Sequence, residues 1–193
     1  MILYPTETIY GLGVNAHDRA AVDELFAFKG REGGKAVSWL VRDIVDIERY
    51  ANVSDATKQL LAQYLPGPVT FVLSANKQYE RYSLQDDETL SFRISSDSVT
   101  QQLIADYMAE YDAPLTCTSA NVSGLETAAT PQDILQQFKE AGRDASKVTV
   151  VDDGVRAGQG STVVRVVDDQ VEVLRQGSTH IDLQNVDVGR ITK

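Results

Sequence analysis

The chain has few of the residues that would indicate a secreted, membrane-bound or metal-binding protein. It contains one cysteine, Cys117, which excludes an internal disulfide and suits a reducing compartment. It has two histidines, and no His, Cys or Asp residues stand at zinc-ligand spacing. No apolar run approaches a membrane span, and no basic leader with an apolar core is visible. We therefore expect a cytoplasmic protein that neither contacts a membrane nor carries its own metal site.

Basic residues are also scarce. Eighteen Lys and Arg stand against 28 Asp and Glu, which gives a net charge of −10. A protein that binds a long nucleic-acid backbone usually has a basic face, so we expect weak or no direct nucleic-acid binding. The one small basic group, formed by Lys29, Arg31 and Lys35, suits a local pocket for a polyphosphate better than a groove for RNA.

Hydrophobic periodicity predicts strands and helices within one domain, residues 1–193. Strands alternate with helices early in the chain and pair directly near its end, where Asp168-Asp169 predicts a hairpin. Asp18, Asp97 and Thr130 stand at cap positions before helical patterns. The pattern predicts an α/β (or α+β) fold with a mixed, twisted sheet and flanking helices, not a purely parallel sheet.

The sequence SAN at 119–121 follows an apolar run and precedes VSG at 122–124. A hydroxyl and an amide just past the tip of a strand lie where ligands collect in open α/β sheets. On its own, however, the tripeptide is more typical of a Ser/Asn/Gly turn that binds nothing. Its interpretation therefore depends on the segments that accompany it.

Several further segments combine glycine with hydroxyl or basic residues: YPTETIYGLG at 4–13, KGR at 29–31, PGPVT at 66–70, GQGST at 158–162 and LRQG at 174–177. Lys29 and Arg31 do not share a helical face, so both reach one ligand only if one lies in the following loop. The alternative is that both are helix-terminal cations favoured by the dipole. GQGST is either an anion-binding turn or a simple glycine-rich loop.

Other residues limit the kinds of nucleotide site and of catalysis that the chain can have. Gly30 to Lys35 does not have P-loop spacing, and Gly11 to Ala16 lacks the acid that a dinucleotide-binding unit requires. Arg93 lies within an apolar strand, where an arginine either faces water or pairs with a carboxylate. No nucleophile stands beside a base, which suits a reaction driven by positioning and charge neutralisation.

In their order, these segments resemble the YrdC family, the threonylcarbamoyl-adenylate synthases, over nearly the whole chain. The resemblance implies a YrdC-like three-layer fold with a sheet of about seven strands, of the short single-domain branch. It also implies that L-threonine, bicarbonate and ATP are converted to threonylcarbamoyl-AMP and pyrophosphate. The product would pass to a separate transferase that modifies tRNA, with which we expect transient contact.

The resemblance also implies roles for individual residues. The catalytic set would be Lys29, Arg31, Ser119 and Asn121, which would bind ATP together with Thr89 and Arg175. The threonine site would be lined by Thr6, Arg93, Cys117 and Ser161. Mg²⁺ would bridge the phosphates without a protein metal site.

Two features depart from the family pattern. Relatives usually carry a helix and a strand before the PTETIYGLG segment, which here begins at residue 5. In the segment after KxR, relatives usually have a proline after the second lysine, whereas here Ala36 follows Lys35 and two glycines precede that lysine. Two alternatives therefore stay open: a paralogue that binds nucleotide or RNA without synthase activity, and a tRNA-binding module.

Overall fold

The computed structural model describes residues 1–31, 36–77 and 87–181. Its strands are β1 (Ile2–Tyr4), β2 (Gly11–Gly13), β3 (Ser38–Leu40), β4 (Val69–Ser74), β5 (Thr89–Arg93), β6 (Leu115–Ser119), β7 (Thr149–Val150), β8 (Thr162–Val167) and β9 (Gln170–Arg175). Its helices are α1 (Arg19–Lys29), α2 (Ile44–Tyr50), α3 (Asp55–Tyr64), α4 (Ser98–Tyr111) and α5 (Pro131–Glu140), and a 3₁₀ turn covers Ala145–Lys147. The predictions for Lys35 and for most of the loop 76–88 fall outside the described residues.

All nine of these strands form one mixed sheet, in the order β7-β1-β2-β6-β3-β5-β4-β8-β9. The pairs β1–β7, β3–β5 and β4–β8 are parallel, and the remaining neighbours are antiparallel. The predicted mixed α/β fold is confirmed. The count of about seven strands that the resemblance implies is too low, since the described residues form nine. The hairpin predicted at Asp168-Asp169 is confirmed and joins β8 to β9, and the two-residue β7 pairs with β1 at the other edge.

Local signals place the ends of the elements. The caps Asp18, Asp97 and Thr130 each accept a hydrogen bond from the backbone N–H three residues further on. Asp168 and Asp169 have φ of 51° and 57°. Positive φ at both central residues is the geometry of a two-residue hairpin turn that matches the strand twist. None of the described helices is both long and apolar enough to cross a membrane.

Two clusters of buried apolar side chains pack the helices onto the sheet. One joins α1 and α5 to β1 and β2 through residues such as Leu12, Phe26 and Phe138. The other joins α2, α3 and α4 to the strands around β5 through residues such as Ile47, Leu61, Phe71, Phe92 and Ile104. Burial of these side chains is the main favourable contribution to folding.

Strand register brings distant segments to one face of the sheet. Residues that pair across neighbouring strands point to the same side, as do residues two apart on one strand. The pairs on this face are Gly11 with Ser119, Ser38 with Cys117, Leu40 with Arg93, Arg93 with Thr70, Thr70 with Val163, and Val163 with Arg175. One face therefore carries side chains from most of the segments that the sequence singles out.

Candidate active site

An open cavity of about 670 Å³ lies on this face of the sheet. Its volume is within the range of ordinary small-molecule sites. Most of the predicted site residues line it: Thr6, Arg31, Arg93, Cys117, Ser119, Asn121, Ser161 and Arg175. Lys29 and Thr89 do not belong to the lining, and each has a different explanation.

Lys29 lies behind the cavity wall. It is the last residue of α1, which ends because Gly30 adopts a left-handed conformation with φ of 65°. Its side chain is buried, and Nζ donates to the backbone oxygen of Ser119, to that of Asn121 at 2.9 Å and to Asn121 Oδ1 at 3.3 Å. Lys29 thus holds the SAN segment in place from within the protein.

The surroundings of Lys29 stabilise its positive charge only weakly. Burial, and to a lesser degree the neighbouring Arg31 cation, lower the pKa of Lys29 to about 7. Among the described residues, no carboxylate forms an ion pair with it. The ammonium form is therefore favoured by an anion that approaches this end of the cavity.

Asn121 lines the cavity, but its amide group is used within the protein. Oδ1 accepts from Lys29 Nζ and from Ser119 Oγ, the latter at 2.5 Å. Nδ2 donates to the backbone oxygens of Val122 at 3.0 Å and Leu125 at 2.6 Å. Both donors and the acceptor are therefore engaged, and the side chain shapes the loop that follows β6.

Arg31 is the cation of the KGR segment that reaches the cavity. As predicted, it lies in the loop beyond the helix, so it does not compete with Lys29 for one helical face. Its guanidinium lies 5.2 Å from the centre of the Phe26 ring, and Nη2 donates to Ala36 O at 3.1 Å. Burial lowers the pKa of Arg31, but an arginine remains charged at neutral pH.

Ser119, on β6, marks one end of the cavity, and we call the part that β5, β4 and the start of β8 line its other end. Arg93, on β5, belongs to that other end and is 5% exposed. Its Nη2 donates to Thr8 Oγ1 at 2.8 Å and Thr6 Oγ1 at 3.3 Å, and lies 3.1 Å from Glu7 Oε1. Of the two sequence alternatives, pairing with a carboxylate is the one realised. Its Nε is buried and has no hydrogen-bond partner among the described residues.

Hydroxyl groups line the cavity near Arg93. Ser161 Oγ lies 2.9 Å from Thr70 Oγ1, and Arg175 donates twice to the backbone oxygen of Ser161, at 2.7 and 3.2 Å. Arg175 thereby fixes the turn that leads into β8. Cys117, which is half-buried, lies on the floor between the two ends of the cavity.

Thr89 lies apart from the residues that line the cavity. It is buried at the start of β5, and its hydroxyl donates to Asp87 Oδ1 at 2.6 Å. Because the cavity is lined further along the strand, at Arg93, the structure does not bring Thr89 to the other residues. Its contact with a nucleotide stays a prediction.

Sequence reasoning missed several lining residues. Thr70 closes the PGPVT segment, so that motif could have indicated its place in the cavity. Gly11 is required by close packing, because a Cβ atom there would lie 2.6 Å from the Tyr4 ring. Ser38 and Glu126 also line the cavity, and neither belongs to a motif that would have indicated it.

Comparison with known proteins shows the family of the chain. The Sua5/YciO/YrdC family, described as telomere recombination, matches residues 1–177. The chain belongs to this family. It is 33% identical to a curated threonylcarbamoyl-AMP synthase of Yersinia pestis over 141 residues, which cover 72% of both proteins.

Solved structures of the Sua5/YciO/YrdC family have the same fold. Pyrococcus abyssi Sua5 in complex with L-threonine matches with a TM-score of 0.77 at 26% identity, over 91% of this chain. The chain spans about half the length of that protein, 50%. Escherichia coli YciO matches with a TM-score of 0.76 at 26% identity, over 93% of this chain and 84% of its own.

The carboxylates of the site determine whether it could hold a metal ion. No group of three or more His, Cys, Asp or Glu that could hold a metal ion occurs in the part of the chain that the structure describes. Glu126 is the one carboxylate among the described residues that line the cavity. Mg²⁺ keeps several waters and is commonly held by substrate phosphates with one or two carboxylates, so this donor set fits an ion that arrives with a nucleotide.

Proposed function

We propose that the chain is a threonylcarbamoyl-AMP synthase that uses L-threonine, bicarbonate and ATP. One observation carries this proposal: a single cavity has Arg31 and Ser119 at one end and Arg93 and Ser161 at the other. A cation with hydroxyls at each end suits two anionic substrates that must meet. The membership of the family and the names of its relatives support the same assignment.

The Arg93 end suits the amino acid. A guanidinium binds a carboxylate through charge-assisted hydrogen bonds, and Arg93 Nε is a buried donor with no partner of its own among the described residues. Thr70 and Ser161 offer hydroxyls that suit the threonine side chain. Cys117 would lie beneath the bound amino acid.

The Arg31 end suits the phosphates. Arg31 and Ser119 line the cavity there. Arg175 lies instead beside Ser161, to whose backbone oxygen it donates, so it would contact the nucleotide only if ATP extends across the cavity. Lys29 and Asn121 would act by holding the SAN segment, and the ammonium of Lys29 would add positive charge behind it. Glu126, which lines the cavity, would help to hold the magnesium ion that accompanies the phosphates, and that ion would supply further charge neutralisation.

The arrangement suits a reaction without a protein nucleophile. The amine of threonine adds to bicarbonate with loss of water and forms a carbamate. A carbamate oxygen then attacks the α-phosphorus of ATP, and pyrophosphate leaves. Arg31, with the Lys29 cation behind it, would stabilise the charge that develops on the α-phosphate.

The test is threonine-dependent pyrophosphate release in the presence of ATP, magnesium and bicarbonate. We expect release only when both threonine and bicarbonate are present, with carbon from labelled bicarbonate in the nucleotide product. Lys29→Ala and Arg31→Ala should each lower it about a hundredfold. Asp23→Asn is the matched control, because the one ion pair of Asp23 among the described residues is an exposed pair with Arg19.

Two other results would contradict the synthase. ATP binding without threonine-dependent release would indicate a paralogue that keeps the fold and binds nucleotide. Steeply salt-dependent tRNA binding without ATP turnover would indicate a tRNA-binding module, which the net charge of −10 disfavours.

The remaining expectations follow from this function. We infer that residues 1–193 form one domain and that the protein works in the cytoplasm, where tRNA is modified. Its product would pass to a tRNA-modifying transferase through transient contact, with weak or no direct nucleic-acid binding. Thr89 would contribute to nucleotide binding only if the ligand reaches the start of β5.

A further inference from the structure

The segment that surrounds Arg93 contains an acidic residue with no assigned role. Glu7 lies between Thr6 and Thr8, and all three contact the same guanidinium nitrogen of Arg93. Thr6 lines the cavity, whereas Glu7 does not. The Glu7 side chain therefore contacts Arg93 without itself lining the cavity.

The Glu7–Arg93 contact is an ion pair in a nearly dry environment. The two side chains are 16% and 7% exposed, and Glu7 Oε1 lies 3.1 Å from Arg93 Nη2. Glu7 Oε2 is held in turn by the hydroxyl of Ser95. A buried guanidinium with such partners has one preferred orientation, because rotation would break the pair and leave both charges buried and unpaired.

A second layer of contacts fixes the same loop. Ser95 Oγ accepts from Asp97 N at 3.2 Å, and Asp97 Oδ2 lies 3.1 Å from Arg156 Nη2. Arg156 Nε in turn donates to Thr6 O at 3.1 Å, which links this set of contacts back to the residue before Glu7. Glu7 is thus anchored to the start of α4 and to the loop before β8, and it is not a free surface carboxylate.

The contacts of Arg93 leave part of its guanidinium without a partner. Nη2 donates to Thr6 and Thr8 and lies 3.1 Å from Glu7 Oε1, whereas Nε is buried and makes no hydrogen bond with the described residues. Because Arg93 also lines the cavity, a carboxylate that binds there gains most if the guanidinium is already held in one orientation.

We propose that Glu7 is a positioning residue that fixes the guanidinium of Arg93 for the carboxylate of the amino-acid substrate. This inference rests on the proposed function, in which that substrate is L-threonine. A positioning role differs from a simple electrostatic one. Removal of a negative charge near Arg93 would by itself strengthen the binding of an anion, whereas loss of orientation weakens it.

The experiment compares Glu7→Gln with the unchanged protein in the pyrophosphate-release assay. We expect the KM for L-threonine to rise about tenfold, while the KM for ATP changes less than about twofold. The inhibition constant of L-threoninamide, which lacks the carboxylate, should also change less than about twofold. A merely structural role would weaken the binding of both compounds alike.

Two further variants complete the test. Glu7→Asp keeps the charge and should give a KM for threonine between those of Glu7→Gln and the unchanged protein. Asp23→Asn, which removes one surface carboxylate, should leave all three constants unchanged. An unchanged or lower KM for threonine in Glu7→Gln, or an equal loss for threonine and threoninamide, would overturn the proposal.

Failure of this inference is distinguishable from failure of the proposed function. If the unchanged protein releases no pyrophosphate, the synthase assignment is wrong, and calorimetric binding of L-threonine and L-threoninamide still compares the variants. If the unchanged protein is active, and the preference for threonine over threoninamide is the same in Glu7→Gln as in the unchanged protein, only the role of Glu7 is wrong. Should Glu7→Gln fail to fold, Glu7→Asp carries the same comparison.

Discussion

Arg93 and Lys29 are two cations buried to nearly the same extent, 5% and 3% exposed, in opposite electrostatic environments. Burial lowers the pKa of Arg93, but neighbouring Cys117 and Glu7 outweigh it, so the pKa is raised. Burial, together with Arg31, lowers the pKa of Lys29 to about 7. Arg93, at the amino-acid end of the cavity, is therefore charged and paired before any ligand binds. Lys29, at the nucleotide end, has no carboxylate partner among the described residues, and the phosphates of the nucleotide would supply the missing negative charge.

The largest expected effect comes from removing the paired cation. Arg93→Ala leaves Glu7 buried without its partner and facing the substrate carboxylate. We expect kcat/KM for L-threonine to fall about a thousandfold. The free energy of unfolding, from denaturant titration, should fall by about 3 kcal/mol. Loss of activity without loss of stability would show that the ion pair does not hold the loop.

A smaller effect is expected when the unpaired cation is removed. Lys29→Met keeps the length of the side chain but leaves the backbone oxygens of Ser119 and Asn121 without their donor. We expect kcat/KM for ATP to fall about a hundredfold, while calorimetric binding of L-threonine alone stays within about twofold of the unchanged protein. Equal losses for ATP and threonine would mean that the two ends of the cavity are not independent.

The sequence predicted the fold and the residues that line the cavity better than it predicted what each of those residues contacts. Caps, the two-residue hairpin and the alternation of strands and helices are local signals, so the order of residues is enough to predict them. Contacts between distant segments are not local, which is why Ser38, on β3, and Glu126, in the loop between β6 and α5, were missed.

The role of Lys29 illustrates the same limit. The motif placed Lys29 and Arg31 together, and helix geometry predicted that one of them lies in the loop. Neither could tell that Arg31 faces the cavity while Lys29 faces the carbonyls of the SAN segment. Likewise, the family resemblance implied that Asn121 contacts the nucleotide, but only three-dimensional packing shows that its amide is already engaged.

The lowered pKa of Lys29 predicts how ATP binding depends on pH. Phosphates favour the ammonium form, so binding should weaken about tenfold between about pH 7 and about pH 8.5, with uptake of nearly one proton per ATP at the higher pH. Calorimetry in buffers of different ionisation enthalpy measures that uptake. Threonine binding, which depends on Arg93, should not change over this range. Equal proton uptake in Lys29→Met would contradict the assignment.

The same pKa has a consequence for stability. The unfolded chain holds a proton on Lys29 up to its ordinary pKa near 10.5, whereas the folded protein releases it above about 7. The unfolded state therefore binds more protons between these values, and the contribution of Lys29 to stability rises with pH across that window, by up to about 1.4 kcal/mol per pH unit. Denaturant titrations at several pH values should show this slope, and Lys29→Met should remove it.

The smallest expected effect lies between the two ends. Cys117 is half-buried on the cavity floor, on the strand that also carries Ser119, and its partner across the sheet is Ser38. Cys117→Ser changes the volume little and places a hydroxyl among other hydroxyls, so no buried polar group is left without a neighbour. We expect the KM for L-threonine to stay within about threefold and the KM for ATP to be unchanged. A loss comparable to that of Arg93→Ala would mean that the thiol takes part in the reaction, and the division between a paired and an unpaired cation would no longer describe the site.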